Sequence, residues 1–139
     1  MVRATALYLL SSYGGEESRQ AIERALGSDE PLIRYAAVRS TERMTPRERA
    51  RLVKPLLEDP IRAVRIEAAR VLSAAPDWAL EGEEARAFEA ARREYEQAMA
   101  SIAERPEAHM NLAIMYEDLG KLDSARVAYR TAIRIDSTY

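Results

Sequence analysis

The chain of 139 residues is 47% hydrophobic and 32% charged with a formal charge of −2; that is enough for one core, without a basic field to recruit nucleic acid or anionic lipid. It has no cysteine, which excludes disulfides, thiolate metal sites, cysteine nucleophiles and covalent haem attachment. His109 is its one histidine, so no multi-histidine metal site can form, and no apolar run approaches the ~20 residues that cross a bilayer. Nothing in this composition separates cytoplasm from periplasm. Lys54 and Lys121 are the only lysines beside many arginines and alanines, a bias compatible with a bacterial source.

In chain order, residues 2–12 read as the second helix of a repeat whose first helix is missing, closed by Ser11-Ser12-Tyr13-Gly14-Gly15. Glu16–Leu26 is a short amphipathic helix that Gly27 stops. Pro31–Arg43 follows, with Ile33, Ala37 and Val38 inward. Thr45-Pro46 opens another helix, with Leu52, Val53, Leu56 and Leu57 toward the core and a bend expected at Pro55. Asp59–Ala75 comes next: Asp59 is placed to cap, Pro60 suits a first turn, and Ile61, Val64, Ala68, Val71 and Leu72 make one apolar stripe. Shifted back by about 31 residues, Val64-Arg65 falls on Ile33-Arg34 and then on Val2-Arg3, the period of a helical-repeat solenoid.

Short helices, the Val/Ile-Arg pair and the Ala-Ala step of Ser28/Asp29…Ile33-Arg34…Ala36-Ala37 and Asp59-Pro60…Val64-Arg65…Ala68-Ala69 resemble HEAT repeats over about residues 1–75. The first copy departs from the pattern at Glu30. The resemblance implies that Arg3, Arg34 and Arg65 form a ladder to acidic groups of neighbouring repeats, Asp29 and Asp59 among them.

The period breaks at Ala75-Pro76-Asp77-Trp78, where Trp78 is expected to plug a junction. A long helical pattern then runs from Glu83 to Glu104 along Phe88, Ala91, Tyr95, Ala98, Met99 and Ile102, the longest helix of the chain. Residues 106–139 resemble one tetratricopeptide repeat through Leu112, Ala113, Tyr116, Gly120, Ala125, Tyr129 and Ala132, with His109 where Trp is common and Ser137 where Pro is usual. Moved back by 34 residues, this repeat finds only its second helix, so 83–104 reads as a half repeat adapting one stack to the other. The fold expected is all-α, a right-handed α-α superhelix, HEAT-like over 1–75 and tetratricopeptide-like over 76–139, packed as one continuous stack. Both ends read as cut within a repeat, as in a segment of a longer protein. Val127, Ile133 and Ile135 on the last helix then predict end-to-end self-association, or a tail folded over them.

Chemistry is sparse. No phosphate loop, nucleophile elbow or zinc motif is present, and no carboxylate pair stands out as an acid/base couple. No catalytic, cofactor or metal residue is assigned; His109 reads as packing and the Glu/Arg run of 81–97, Arg92 included, as a solvated face. One pattern is distinctive: Tyr35 and Arg39, like Ile66 and Arg70 a period later, lie opposite the apolar stripe, as do Ala4 and Tyr8. Large apolar residues paired with Arg on such a face suit a contact surface. The tetratricopeptide resemblance adds Met110, Ile114 and Glu117 on a groove-facing helix side; Met110 and Ile114 stand where the carboxylate-clamp subfamily carries Lys and Asn, so acidic chaperone tails are not expected. The function expected is a non-enzymatic scaffold for protein or extended peptide, with a nucleic-acid-binding HEAT-like module, then a fragment similar to HEAT-like bilin lyases, as alternatives.

Overall fold

The computed structural model describes residues 5, 6, 9, 15–75 and 79–138, and among these there is no strand. Helices α1 (Glu16–Leu26), α2 (Pro31–Ser40), α3 (Pro46–Val53), α4 (Arg62–Leu72), α5 (Gly82–Ala100), α6 (Pro106–Asp118) and α7 (Leu122–Ile135) succeed one another, with 3-10 turns at Thr41–Arg43 and Lys54–Glu58. The architecture is an all-α helical-repeat solenoid. Arg3, Ala4, Tyr8, Ser11 to Gly14 and Trp78, which carry expectations above, lie outside the described residues.

Local chemistry sets the helix ends. Thr45 caps α3 in a capping box: its hydroxyl accepts the Glu48 amide, and the Glu48 carboxylate accepts the Thr45 amide. Pro55 does not bend α3; it lacks an amide proton and crowds the preceding turn, so the α-helix stops at Val53 and continues as the 3-10 turn. Leu56 and Leu57 still reach the core. The helix expected to reach Arg43 likewise changes at Ser40. There the Ser40 hydroxyl donates to the Ala36 carbonyl and Thr41 to that of Val38, which tightens the last turn.

Asp59 corrects a second expectation. Helix α4 starts at Arg62, with Ile61 as its first flanking residue and no side-chain cap, so Pro60 stands outside the first turn. The Asp59 carboxylate instead accepts the Ile61 amide at 2.8 Å and turns back to bond Arg34. Ile61 leaves the apolar stripe and is exposed.

One core gathers Ile22 and Leu26 of α1, Ile33, Ala37 and Val38 of α2, Val53 of α3, Val64, Ala68, Val71 and Leu72 of α4, and Phe88 and Ala91 of α5. The sequence period is thus a packing period, since Ile33 and Val64 sit at matching depth in successive helix pairs. Helix α5, at 19 residues, is the longest among the described residues, and it ends in turns at Ser101, short of Glu104. It packs on α4 and the Lys54–Glu58 turn on one side and on α6 on the other. Between α6 and α7 the buried residues are mostly Ala108, Ala113, Ala125, Ala128 and Ala132, so the two helices approach closely. Gly120 closes their short loop at φ 69, in the left-handed region that favours glycine.

Candidate functional site

The arginine ladder frames the site. Arg34 of α2 donates to both carboxylate oxygens of Asp59, at 2.6 and 3.0 Å, and also to the carbonyls of Ser28 and Asp29. One period later Arg65 of α4 repeats the fork on Glu94 of α5, at 3.0 and 2.9 Å, with its third contacts on the carbonyls of Asp59 and Pro60. The ladder is therefore structural, but its second rung ends on a mid-helix glutamate rather than on an aspartate at a repeat start. A continuous helix stands there, so no loop aspartate is available. Burial pushes the Asp59 carboxyl up, but the hydrogen bonds from Arg34 and the Ile61 amide, with the charges of Arg34 and Arg65, hold it below its ordinary value. Hydrogen bonding from Arg65, then the charges of Arg65 and Arg62, lower that of Glu94.

Arg92, expected on a solvated face, is a further correction. Its side chain is only 11% exposed and clamps Glu89 and Glu96 of α5, and Glu96 accepts the Tyr116 hydroxyl of α6. The i,i+3 and i,i+4 pairs exist, but they tie α5 to its neighbour.

Beside this ladder, α2, α4, α5 and α6 enclose a groove of about 330 Å³. Tyr35 and Arg39 line it from α2, Ile66 and Arg70 from α4, as the sequence periodicity implies. The structure adds Tyr95 and Met99 from α5, Glu67 from α4, Glu42 from the Thr41–Arg43 turn and Asn111 from α6. Three of the lining helices, α2, α4 and α5, thus each present a pair four residues apart: Tyr35/Arg39, Ile66/Arg70 and Tyr95/Met99. The third pair was open to detection, because it falls about one period after the second, but the same residues also fit the buried stripe of α5. Asn111 and Glu42 carry no such signal.

The polar groups inside are matched. Arg70 donates to Glu67 at 3.1 and 2.7 Å and also pairs with Glu42, while Arg39 reaches Glu67 only at 3.6 Å. Burial alone would lower Arg70, but its bonds to Glu67 and Glu42 and their charges raise it above the ordinary arginine value. Burial, then the charge of Glu67, raises the phenol of Tyr35, and burial pushes Tyr95 up to about 12, so both stay protonated at neutral pH. Such a surface can donate hydrogen bonds and bury apolar side chains.

The remaining expected contact residues are placed differently. Ile114 is exposed on α6 and Met110 half-buried, and neither lines the groove. The Glu117 carboxylate accepts the Tyr129 hydroxyl at 2.8 Å, which points it toward α7. Tyr35 is half-buried and packs against the core, so it is not purely surface. His109 donates from Nε2 to the Ala103 carbonyl at 2.9 Å, pinning the α5–α6 turn. Among the described residues no group of three or more His, Cys, Asp or Glu side chains is placed to hold a metal. No helix is long and apolar enough to cross a membrane, again among the described residues.

The model for HEAT repeats matches residues 1–73, and the model for the tetratricopeptide repeat matches residues 106–139. Comparison with curated proteins and with solved structures gave no match. Repeats of both kinds are generally protein-interaction scaffolds and typically lack enzymatic activity of their own. With helix pairs recurring at the sequence period, an arginine on each rung, and the HEAT model covering more than half of its length, the chain belongs to the HEAT-repeat family and carries a tetratricopeptide repeat after it.

Proposed function

We propose that this chain is a non-enzymatic scaffold that holds an extended protein segment in the groove across α2, α4, α5 and α6. The observation that carries this reading is the threefold recurrence of Tyr35/Arg39, Ile66/Arg70 and Tyr95/Met99, which lays a row of apolar and long flexible side chains along one face. Such anchors are what concentrate affinity in protein recognition. Met110 and Ile114 would extend the surface along α6. Residues 1–75 and 76–139 would act as one stack, supported by Phe88 and Ala91 of α5 lying in the same core as α2 and α4. A nucleic-acid role is disfavoured, because the chain carries a formal charge of −2 and has no basic field to gather a phosphate backbone.

Ile66→Ser with Met99→Ser tests the groove without touching the Tyr35–core contact. A partner captured from lysate and then titrated is expected to bind this variant about tenfold or more weakly, with a near-unchanged melting temperature. Unchanged affinity would place the binding surface elsewhere.

Self-association is the second reading, favoured by one observation: Val127 is 64% exposed on α7, with Leu122, Ile133 and Ile135 also exposed. We expect a sedimentation coefficient that rises with concentration, and Val127→Glu to abolish the rise. A single species from micromolar to millimolar concentration would contradict it.

A further inference from the structure

We infer that the groove selects a protein segment carrying an acidic side chain beside a large apolar one, and that Glu42 holds the place of that acid while the groove is empty. The inference rests on the groove reading above and names the chemistry of its partner. Inside the groove two guanidiniums face one buried carboxylate, that of Glu67, whose side chain is 8% exposed. Glu67 is engaged by Arg70 at 2.7 Å, and reaches Arg39 only at 3.6 Å, leaving half of the Arg39 side chain open to water. The second negative charge comes from the rim. Glu42 sits on the Thr41–Arg43 turn, 46% exposed, and bonds Arg70 across the groove mouth.

These two acids are not equivalent. Glu67 is enclosed and permanent, whereas an exposed glutamate on a turn swings into water at little cost, because hydration nearly balances an exposed ion pair. With Glu42 turned out, the groove holds one positive charge in excess, shared by Arg39 and Arg70. A partner carboxylate entering there meets the open guanidinium of Arg39 and the Arg70 nitrogen that Glu42 releases, while Glu67 keeps its own bonds to Arg70. Tyr35, Ile66, Tyr95 and Met99 line the remaining wall, so the side chain next to the acid is apolar. A lysine on the partner would instead meet Arg39 and Arg70 as like charges, with Glu67 already engaged behind them.

Three end-blocked, fluorescently labelled peptides test this, alternating Leu and Tyr with Glu, with Gln or with Lys, each titrated against the full chain by anisotropy. The Glu peptide is expected to bind about tenfold more tightly than the Gln peptide, and the Lys peptide more weakly than either. Glu42→Gln should tighten the Glu peptide by about threefold to tenfold and leave the Gln peptide unchanged, while Arg39→Gln erases the difference between them. The distant Arg126→Gln should change neither. Equal binding of the Glu and Gln peptides, with Ile66→Ser weakening both, would overturn the acid selectivity while the groove reading stands. Binding of none of the peptides would overturn both. Weaker binding of the Glu peptide by Glu42→Gln would overturn the place-holding role, and Glu42→Ser repeats that measurement should the first variant fold poorly. A single-stranded oligothymidylate that gains affinity from Glu42→Gln while the Glu peptide does not would overturn the protein partner in favour of nucleic acid.

Discussion

Arg34→Ala is expected to lower the unfolding free energy by about 3 kcal/mol, because it leaves a buried carboxylate without its counter-charge. The Asp59 side chain is 3% exposed and Arg34 supplies both of its ionic hydrogen bonds, so water cannot replace them. The carbonyls of Ser28 and Asp29 lose the same donor. Adding Asp59→Asn to the variant removes the orphaned charge and keeps an acceptor for the Ile61 amide, so it should recover part of the loss. Additive losses in urea unfolding would show that the two residues do not act as a pair. Arg126→Ala, an exposed pair member on α7, should cost under about 0.5 kcal/mol.

The same rungs set an acid limit. Asp59 and Glu94 are both held below their ordinary values in the folded chain. A carboxylate with a depressed folded pKa contributes stability above its unfolded value, near 4, and loses it as pH falls through the folded value. Stability should therefore be level with respect to these two groups from neutrality to about pH 5 and decline below about pH 4. Arg34→Ala should flatten the part of that decline due to Asp59.

Ala113→Leu is expected to destabilise by about 2–3 kcal/mol, since an added branched side chain has nowhere to go between α6 and α7. Ala113 is fully buried, and its counterparts across the pair, Ala125, Ala128 and Ala132, are buried too. Larger side chains there force the helices apart or off their rotamers. The adjacent Ile114 is exposed, so Ile114→Ala should shift the urea midpoint little. Equal shifts for the two variants would mean that the helices are not held at alanine distance.

Much of this molecule was legible because repeats write their packing into their period. Ile33, Val64, Ala37 and Ala68 announce buried positions at helical spacing, and the Arg34/Arg65 pair announces the ladder that runs along them. Half of the groove was legible for the same reason, since Tyr35/Arg39 and Ile66/Arg70 repeat one another a period apart. Glycine at position 120 and alanine at 113, 125 and 132 carry their own physical reasons.

What escaped sequence reading depends on which side chains of separate helices come face to face. Nothing local tells Arg65 to take Glu94 over the acids nearby; only the seating of α5 against α4 decides it. Arg92 reads as surface by its neighbours, and is covered only because Tyr116 arrives from α6 to bond its partner Glu96. Glu42 and Asn111 enter the groove from a turn and from another repeat type, where no periodicity links them to Arg70. The amino-acid sequence thus determined the helices, their spacing and the buried stripe, which depend on contacts between near neighbours and a repeated unit. The tertiary structure alone decided the pairing of Arg65 with Glu94 and of Arg70 with Glu42, and the floor of the groove, because those depend on how long side chains from separate helices divide a shared space.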